Sequence, residues 1–241
     1  MTPARRRAFL FCLLALLISA LLIVASRQER AAGSARPRNR PTLMLLTSLP
    51  IVFNEGFSLS GGGSPVLRRL SNSYRVVPIS VTSPAELSRG KLLLMAHASS
   101  QAAENLVALD AWVRKGGRVL ILADPLLEWP SKRPLGDRLR PSPMFMDTGL
   151  LAHWGLTLGA PDKRGAEVRR LGSYRVVTVS PGYLKGTCNI GTGGLDADCR
   201  VGNGRAIVIA DADFLNTPAL GDEASHNLDA LMEELARLRA S

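Results

Sequence analysis

Residues 8–26 contain no charged side chain and consist almost wholly of Leu, Ile, Val, Phe and Ala. In a helix this run reaches about 28 Å, close to the hydrocarbon thickness of a bilayer. Arg5, Arg6 and Arg7 stand immediately before it. A cleavable signal carries a shorter apolar stretch, about 7–15 residues. The length therefore favours an uncleaved signal-anchor. Small residues at Val24-Ala25-Ser26 and Gly33-Ser34-Ala35 keep cleavage open as the alternative. The expected organisation is an anchor at 1–26, a linker at 27–41 rich in Arg, Ala, Gly, Ser and Pro, and one domain at 42–241.

The anchor also explains the charge. A formal net charge of +10 would ordinarily raise the question of nucleic-acid binding. Eight arginines and one glutamate, however, fall within residues 1–40, and the remaining chain holds 22 basic and 19 acidic residues. A nucleic-acid binder needs its charge on the folded surface that meets the phosphates. Here most of it flanks the apolar run, so nucleic acid is not an expected partner.

The Arg triplet favours a cytoplasmic amino terminus, whereas Arg27, Arg30, Arg36, Arg38 and Arg40 pull the other way. The cysteines help to decide. Cys12 lies in the apolar run, and Cys188 and Cys199 flank a short Gly- and Asp-rich segment. Two cysteines closing a short loop read as a disulfide, which requires an oxidising compartment. Two unrelated free thiols are the alternative. The expected location is a bacterial inner membrane, single-pass, with the soluble domain in the periplasm.

The soluble part alternates strand and helix patterns. Residues 42–49 form an apolar run without strict alternation, the mark of a strand covered on both faces. Ser64-Pro65 suits a helix start, with Val66, Leu67 and Leu70 on its apolar side. Residues 74–81, 91–98, 118–123 and 205–210 read as further strands, and 174–179 as another. Ser83 with Glu86 three residues on reads as a capped turn. Ser99 or Ser100 is expected to cap a helix whose apolar positions are Leu106, Leu109, Trp112 and Val113. Gly116-Gly117 ends that helix. Residues 126–143 read as an inserted loop or lid, 144–156 as a helix, 181–204 as turns, and 223–238 as the terminal helix. The fold class is α/β, a mainly parallel sheet with helices on both faces. In such sheets ligands bind beyond the carboxyl ends of the strands.

Four polar residues fall at those ends: His97, Asp124, Asp211 and Asp213. Clustered carboxylates with an imidazole suit a divalent cation or acid–base chemistry. The simpler reading is that the aspartates cap neighbouring turns and bond loop amides. Gly61-Gly62-Gly63-Ser64 lacks the Lys-Ser/Thr ending of a P-loop and the spacing of a dinucleotide fingerprint. No Gly-x-Ser-x-Gly elbow and no zinc-type Cys/His cluster is present. No cofactor is expected.

Three segments carry a resemblance. Thr47-Ser48-Leu49-Pro50 is followed by Asn54-Glu55-Gly56. Leu109-Asp110-Ala111-Trp112-Val113-Arg114-Lys115-Gly116-Gly117-Arg118-Val119-Leu120 leads to Ala123-Asp124-Pro125. Gly204-Arg205-Ala206-Ile207-Val208-Ile209-Ala210 leads to Asp211-Ala212-Asp213-Phe214-Leu215. In order and spacing these resemble the GldG-type auxiliary components of ABC transport systems, with Ala212 where the family has Ser. Asn227-Leu228 at the last helix fits as well. The resemblance covers about residues 42–238. It implies a class I glutamine-amidotransferase-like or flavodoxin-like domain without a catalytic elbow, held near an ABC permease. The chain has no nucleotide-binding motif of its own, so permease and ATPase would be separate chains. The expected function is a non-enzymatic, membrane-anchored periplasmic auxiliary or binding component, with the 126–143 segment as a partner-contacting flap. The alternative is a metal-assisted hydrolase using His97, Asp124, Asp211 and Asp213.

Overall fold

The computed structural model describes residues 40–53 and 63–240. The expected anchor, and the linker through residue 39, lie outside these residues, as does Asn54-Glu55-Gly56. Among the described residues no helix is long and apolar enough to cross a membrane. Pro41–Ser241 forms one compact unit.

Five strands run parallel at the centre of this unit: β1 (Thr42–Thr47), β2 (Arg75–Pro78), β3 (Leu92–Ala96), β4 (Arg118–Leu122) and β11 (Gly204–Ile209). Two more strands, β10 (Asp196–Val201) and β9 (Asn189–Ile190), extend one side antiparallel, each to its neighbour. The full order is β2-β1-β3-β4-β11-β10-β9. The central strands are apolar runs because both faces are covered. Leu43, Leu45, Leu94, Leu120, Leu122, Ile207 and Ile209 point to one core, and Met44, Leu93, Met95, Ile121 and Val208 to the other.

Helices cover both faces. Val66 and Leu70 of α1 (Pro65–Ser73) and Leu231, Leu235 and Leu238 of α6 (Asn227–Ala240) fill the first core. Leu87 of α2 (Pro84–Leu87), Leu109 and Val113 of α3 (Ala103–Arg114), and Leu150 and Leu151 of α4 (Leu150–His153) fill the second. Ser64 caps α1 through the Leu67 amide, and Ser83 caps α2 through that of Glu86. Gly116, at φ +103°, turns the chain out of α3, and the Gly117 amide returns to the Trp112 carbonyl at 3.0 Å. A Cβ on Gly117 would lie 2.4 Å from the Trp112 ring, so this tight joint admits no side chain. The joint sets where β4 begins, and with it where Asp124 ends up.

Several expectations need correction. Neither Ser99 nor Ser100 caps α3; the residue at its start is Ala102, with no side-chain bond. Gln101 instead receives the Thr82 amide and donates to the Ser99 carbonyl, holding residues 98–102 across the strand ends. The helix expected at 144–156 shrinks to α4. The Phe145 amide is taken by the Asp124 carbonyl, and Gly149 at φ +96° precedes the first turn. The 174–179 strand exists as β7 (Tyr174–Val179). It pairs only with β6 (Ala166–Leu171) in a separate antiparallel hairpin, outside the main sheet. The 181–204 stretch is not merely turns. It holds β8 (Tyr183–Gly186), paired with β5 (Leu156–Gly159), and then β9 and β10. The terminal helix starts at Asn227 rather than residue 223, after a single 3-10 turn at Asp222–Ala224.

Cys188 and Cys199 form a disulfide that joins the segment before β9 to the buried face of β10. It closes a loop with a sequence separation of 11. By loop-closure entropy a cross-link of that size stabilises by about 3 kcal/mol. Reduction is therefore expected to lower the unfolding free energy by that amount, read as a fall in the chemical-denaturation midpoint of that energy divided by the m-value, and the Cys188→Ser/Cys199→Ser protein is expected to match the reduced wild type. An unchanged midpoint on reduction would count against a structural role for this bond.

Candidate functional site

Asp124 stands two residues past the end of β4, and Pro125 after it cannot donate to a neighbouring strand, so the chain leaves the sheet there. The Asp124 carboxylate is fully buried. One oxygen accepts from the Leu126 amide at 2.9 Å, an Asx turn over its own loop. The other accepts from the Ala212 amide at 2.8 Å and the Asp213 amide at 3.3 Å. A single carboxylate thus ties the loop after β4 to the loop after β11.

Asp211, also fully buried, continues the pattern. It accepts from the Phe214 amide at 2.7 Å, starting the 3-10 turn Asp213–Leu215, and from the Val179 amide at 3.1 Å at the end of β7. Asp213 closes the circuit by accepting from the Glu128 amide at 2.7 Å. Glu128 in turn accepts from the Ser180 hydroxyl at 2.6 Å. Asn227, buried at the head of α6, bonds both the amide and the carbonyl of Val177 and the carbonyl of Phe214.

The structure therefore brings Asp124, Asp211 and Asp213 together. His97 follows the adjacent strand but meets none of these carboxylates through a direct hydrogen bond. Its Nε2 lies 2.8 Å from the Ser142 carbonyl on the far arm of the 125–147 loop. That contact makes Nε2–H the donor and leaves Nδ1 as a buried acceptor without a partner. Burial holds the His97 pKa below its ordinary value, so the ring is neutral at physiological pH. His97 also adopts φ +45°, and Ser180 φ +47°. A left-handed, non-glycine backbone stores strain of about 1 kcal/mol or more and gathers at functional sites.

Glu128, Ser180, Ser142 and Asn227 stand outside the sequence reading of the site. Glu128 and Ser142 lie in a loop without periodicity, and Ser180 follows a strand that was expected inside the main sheet. Only Asn227 carried a signal, its place at the opening of the last helix.

The electrostatics follow from the geometry. Burial raises all three aspartates and the amide bonds oppose the rise; nearby charge adds to it, from Glu128 on Asp124, from Asp124 and Asp213 on Asp211, and from Asp124 and Glu128 on Asp213. Asp124 is pushed up to about 6, Asp213 to about 7, and Asp211 well above the ordinary carboxylate range. Among the described residues no three His, Cys, Asp or Glu side chains are grouped so as to hold a metal ion. The carboxylate lone pairs are taken by backbone amides of their own and of neighbouring loops.

An open crevice of about 600 Å³ is lined by none of the residues of this circuit. It sits past the ends of β1, β2 and β3, where the chain order reverses between β1 and β3. Ligands bind at such reversals in open α/β sheets. Ser48, Ser80, Ser99 and Gln101 offer polar groups there, and Leu49, Phe53 and Leu139 apolar ones. Arg133 and Arg138 of the 126–143 segment complete the wall.

No protein-family model matches the chain, and no curated protein matches it. Among solved structures it is similar to the mmIFT52 N-terminal domain, at 15% identity and a TM-score of 0.52, over 80% of this chain and 96% of that one. It is also similar to Cytoplasmic Protein STM3548 from Salmonella typhimurium, at 11% identity and a TM-score of 0.50, over 82% and 98%. An exo-beta-1,4-mannosidase from Opitutaceae bacterium strain TAV5 matches at 14% identity and a TM-score of 0.49 over 91% of this chain. The chain spans 39% of that enzyme's length. The first two likenesses show a shared fold and nothing finer.

Two predictions test the carboxylate circuit. A carboxyl whose pKa is raised on folding binds its proton more tightly in the folded state, so its contribution to stability falls as pH rises from the unfolded value to the folded one. Between about pH 4 and pH 7 these groups should make the protein less stable with each step upward, as read by denaturant unfolding. Asp213→Asn keeps an oxygen for the Glu128 amide and removes a charge, and should flatten the upper part of that slope. Asp124→Asn, by contrast, presents N–H to amides that need an acceptor. It should destabilise by about 3 kcal/mol at neutral pH. A neutral outcome for Asp124→Asn would mean the loops are held by something else.

Proposed function

We propose that this chain is a non-enzymatic, membrane-anchored auxiliary or binding component of an ABC-type transport system, with its α/β domain in the periplasm. One observation carries the reading. The strand-end aspartates are buried and engaged with backbone amides, while an accessible crevice past the ends of β1, β2 and β3 presents hydroxyls, an amide, apolar groups and two arginines. Such an arrangement supports recognition rather than turnover, because a general acid or base must reach the proton it moves. The apolar run at 8–26 supports the anchor, and the Cys188–Cys199 bond suits an oxidising compartment. The strand order and loop placement suit a glutamine-amidotransferase-like or flavodoxin-like domain. The permease and the ATPase are separate chains, and the 126–143 segment, with Arg133, Arg138 and the exposed Leu139, is the flap that meets a partner.

A hydrolase is the second reading, favoured by the raised Asp124 and Asp213 pKa values, since such values gather at catalytic sites. It needs the 125–147 loop to open and a cation to enter.

Full-length protein extracted from its membrane in mild detergent is expected to bring with it an ABC permease and an ATPase, identified by mass spectrometry. Extraction of the chain alone, under conditions where a known transporter stays assembled, would sink the auxiliary reading. For the hydrolase reading the measurement is thermal stability with Mg²⁺, Mn²⁺, Ca²⁺ or Zn²⁺, since a ligand of the folded state raises it. We expect no shift that depends on Asp211 or Asp213; a shift abolished by Asp211→Asn would reverse the preference.

A further inference from the structure

The crevice at the carboxyl edge draws one hydroxyl from the chain after each of three adjacent strands. Ser48 follows β1, Ser80 lies two residues past β2, and Ser99 three past β3. The Ser48 hydroxyl is committed, since it donates to the His97 carbonyl. The Ser80 and Ser99 hydroxyls are exposed and have no partner among the described residues. Gln101 gives its oxygen to the Thr82 amide and one N–H to the Ser99 carbonyl, which leaves its second N–H.

The wall supplied by residues 126–143 adds charge of one sign. Arg138 is exposed and forms no hydrogen bond or ion pair among the described residues. Arg133 is partly committed, because its Nη1 lies 3.5 Å from Asp137. That carboxylate also accepts from the Leu139 amide and does not line the crevice. Among the described residues no Asp or Glu lines it. Other concavities differ. Asp198 lines the one at the amino edge, where the parallel strands begin, and Asp196, Asp198 and Glu233 line the one beside α6. The groove at the start of α1 lacks an acid, but its Arg68 donates to the Gly63 carbonyl and its Lys132 is engaged as well.

The same crevice carries apolar surface that the fold leaves uncovered. Phe53 is 81% exposed and Leu139 68%, beside the buried Leu49 and Ile79. Covering such surface with an apolar group is favourable. An inorganic ion would leave it wet, and a neutral apolar ligand would leave Arg138 without a counter-charge. A guanidinium fork matches a carboxylate or a phosphate. About 600 Å³ is also an ordinary size for a small-molecule site.

We propose that this crevice binds a small organic anion, an apolar body that carries one carboxylate or phosphate. Arg138 is the counter-ion, the Ser80 and Ser99 hydroxyls donate to the anion, and Leu49, Phe53, Ile79 and Leu139 receive the body. The proposal rests on the reading of this crevice as a recognition surface and deepens it by naming the ligand chemistry. Co-extraction of a permease and an ATPase without anion binding would sink this proposal alone. Anion binding by a chain that extracts alone would sink the ABC reading alone.

The test is titration calorimetry on the full chain in phosphatidylcholine nanodiscs, with empty discs subtracted. Hexanoate and hexyl phosphate are the probes, and hexanol and inorganic phosphate each carry half of the required chemistry. At least one of the two organic anions is expected to saturate, with hexanol and inorganic phosphate bound at least about tenfold more weakly. The tighter of the two anions identifies the headgroup. Arg138→Gln removes the counter-ion without breaking a bond of the fold. It is expected to weaken the anion about tenfold, as for a charge-assisted bond, and to leave hexanol unchanged. Ser80→Ala/Ser99→Ala is expected to weaken the anion in the same direction. Lys115→Gln, at the carboxyl end of α3, removes an equal charge outside the crevice and is expected to change nothing. Denaturation midpoints check that the variants are folded. The proposal is overturned if neither organic anion binds, or if hexanol or inorganic phosphate binds as tightly. It is equally overturned if Arg138→Gln costs nothing, or no more than Lys115→Gln.

Discussion

The placement of every feature at the carboxyl edge depends on one carboxylate. Asp124 accepts three amide hydrogens, one from its own loop and two from the loop after β11. Those loops come from strands that lie side by side but are more than eighty residues apart in sequence. Without an acceptor between them, three buried N–H groups would face one another, each at a cost of about 1–3 kcal/mol. Ionised, Asp124 gives the amides their strongest acceptor, yet burial and its acidic neighbours push its proton affinity up. The circuit is thus held by bonds that favour the charge and surrounded by groups that oppose it. The balance between the two is the source of the pH dependence expected of this domain.

The parts of the fold legible in the sequence are those whose pattern has one physical cause. β1, β3, β4 and β11 are apolar on both faces, and nothing but a covered strand suits such short runs. Ser64-Pro65 and Ser83-Pro84 start helices by local bonds that need no tertiary partner. The illegible parts are those where a distant residue decides. β10 reads Asp-Ala-Asp-Cys-Arg-Val, a clean alternation, yet its polar face is satisfied only by Arg205 and Arg237 from other elements. The apolar residues between 144 and 156 have helical spacing, but the Asp147 carboxylate takes the Gly149 and Leu151 amides and Gly149 sits at φ +96°, so the helix starts only at Leu150. β7 has a strand's composition and simply pairs elsewhere.

The site divides in the same way. Strand-end position and residue type suffice to single out His97, Asp124, Asp211 and Asp213. They do not distinguish a carboxylate facing a ligand from one facing an amide. That difference rests on Ala212, Asp213, Leu126, Phe214 and Val179, whose contributions are backbone groups with no signature in the sequence. Glu128 and Ser180 are ordinary loop residues until the chain brings them within 2.6 Å.

The two edges of the sheet thus have opposite characters. At the carboxyl edge acids are buried and their charge is turned inward, so a partner meets hydroxyls, apolar side chains and the arginines of the 126–143 segment. At the amino edge Arg75, Lys91, Lys115 and Arg200 are exposed, while Arg205 is held by both oxygens of Asp198. Parallel topology alone enforces this separation, because every β–α unit starts at one edge and ends at the other. The described chain enters at the amino edge, where residue 41 leads into β1. Its crevice opens at the far end, some five or six residues of strand away, about 20 Å. On the proposed auxiliary reading, reach across that distance rather than chemistry at the strand ends is what the domain supplies to a partner.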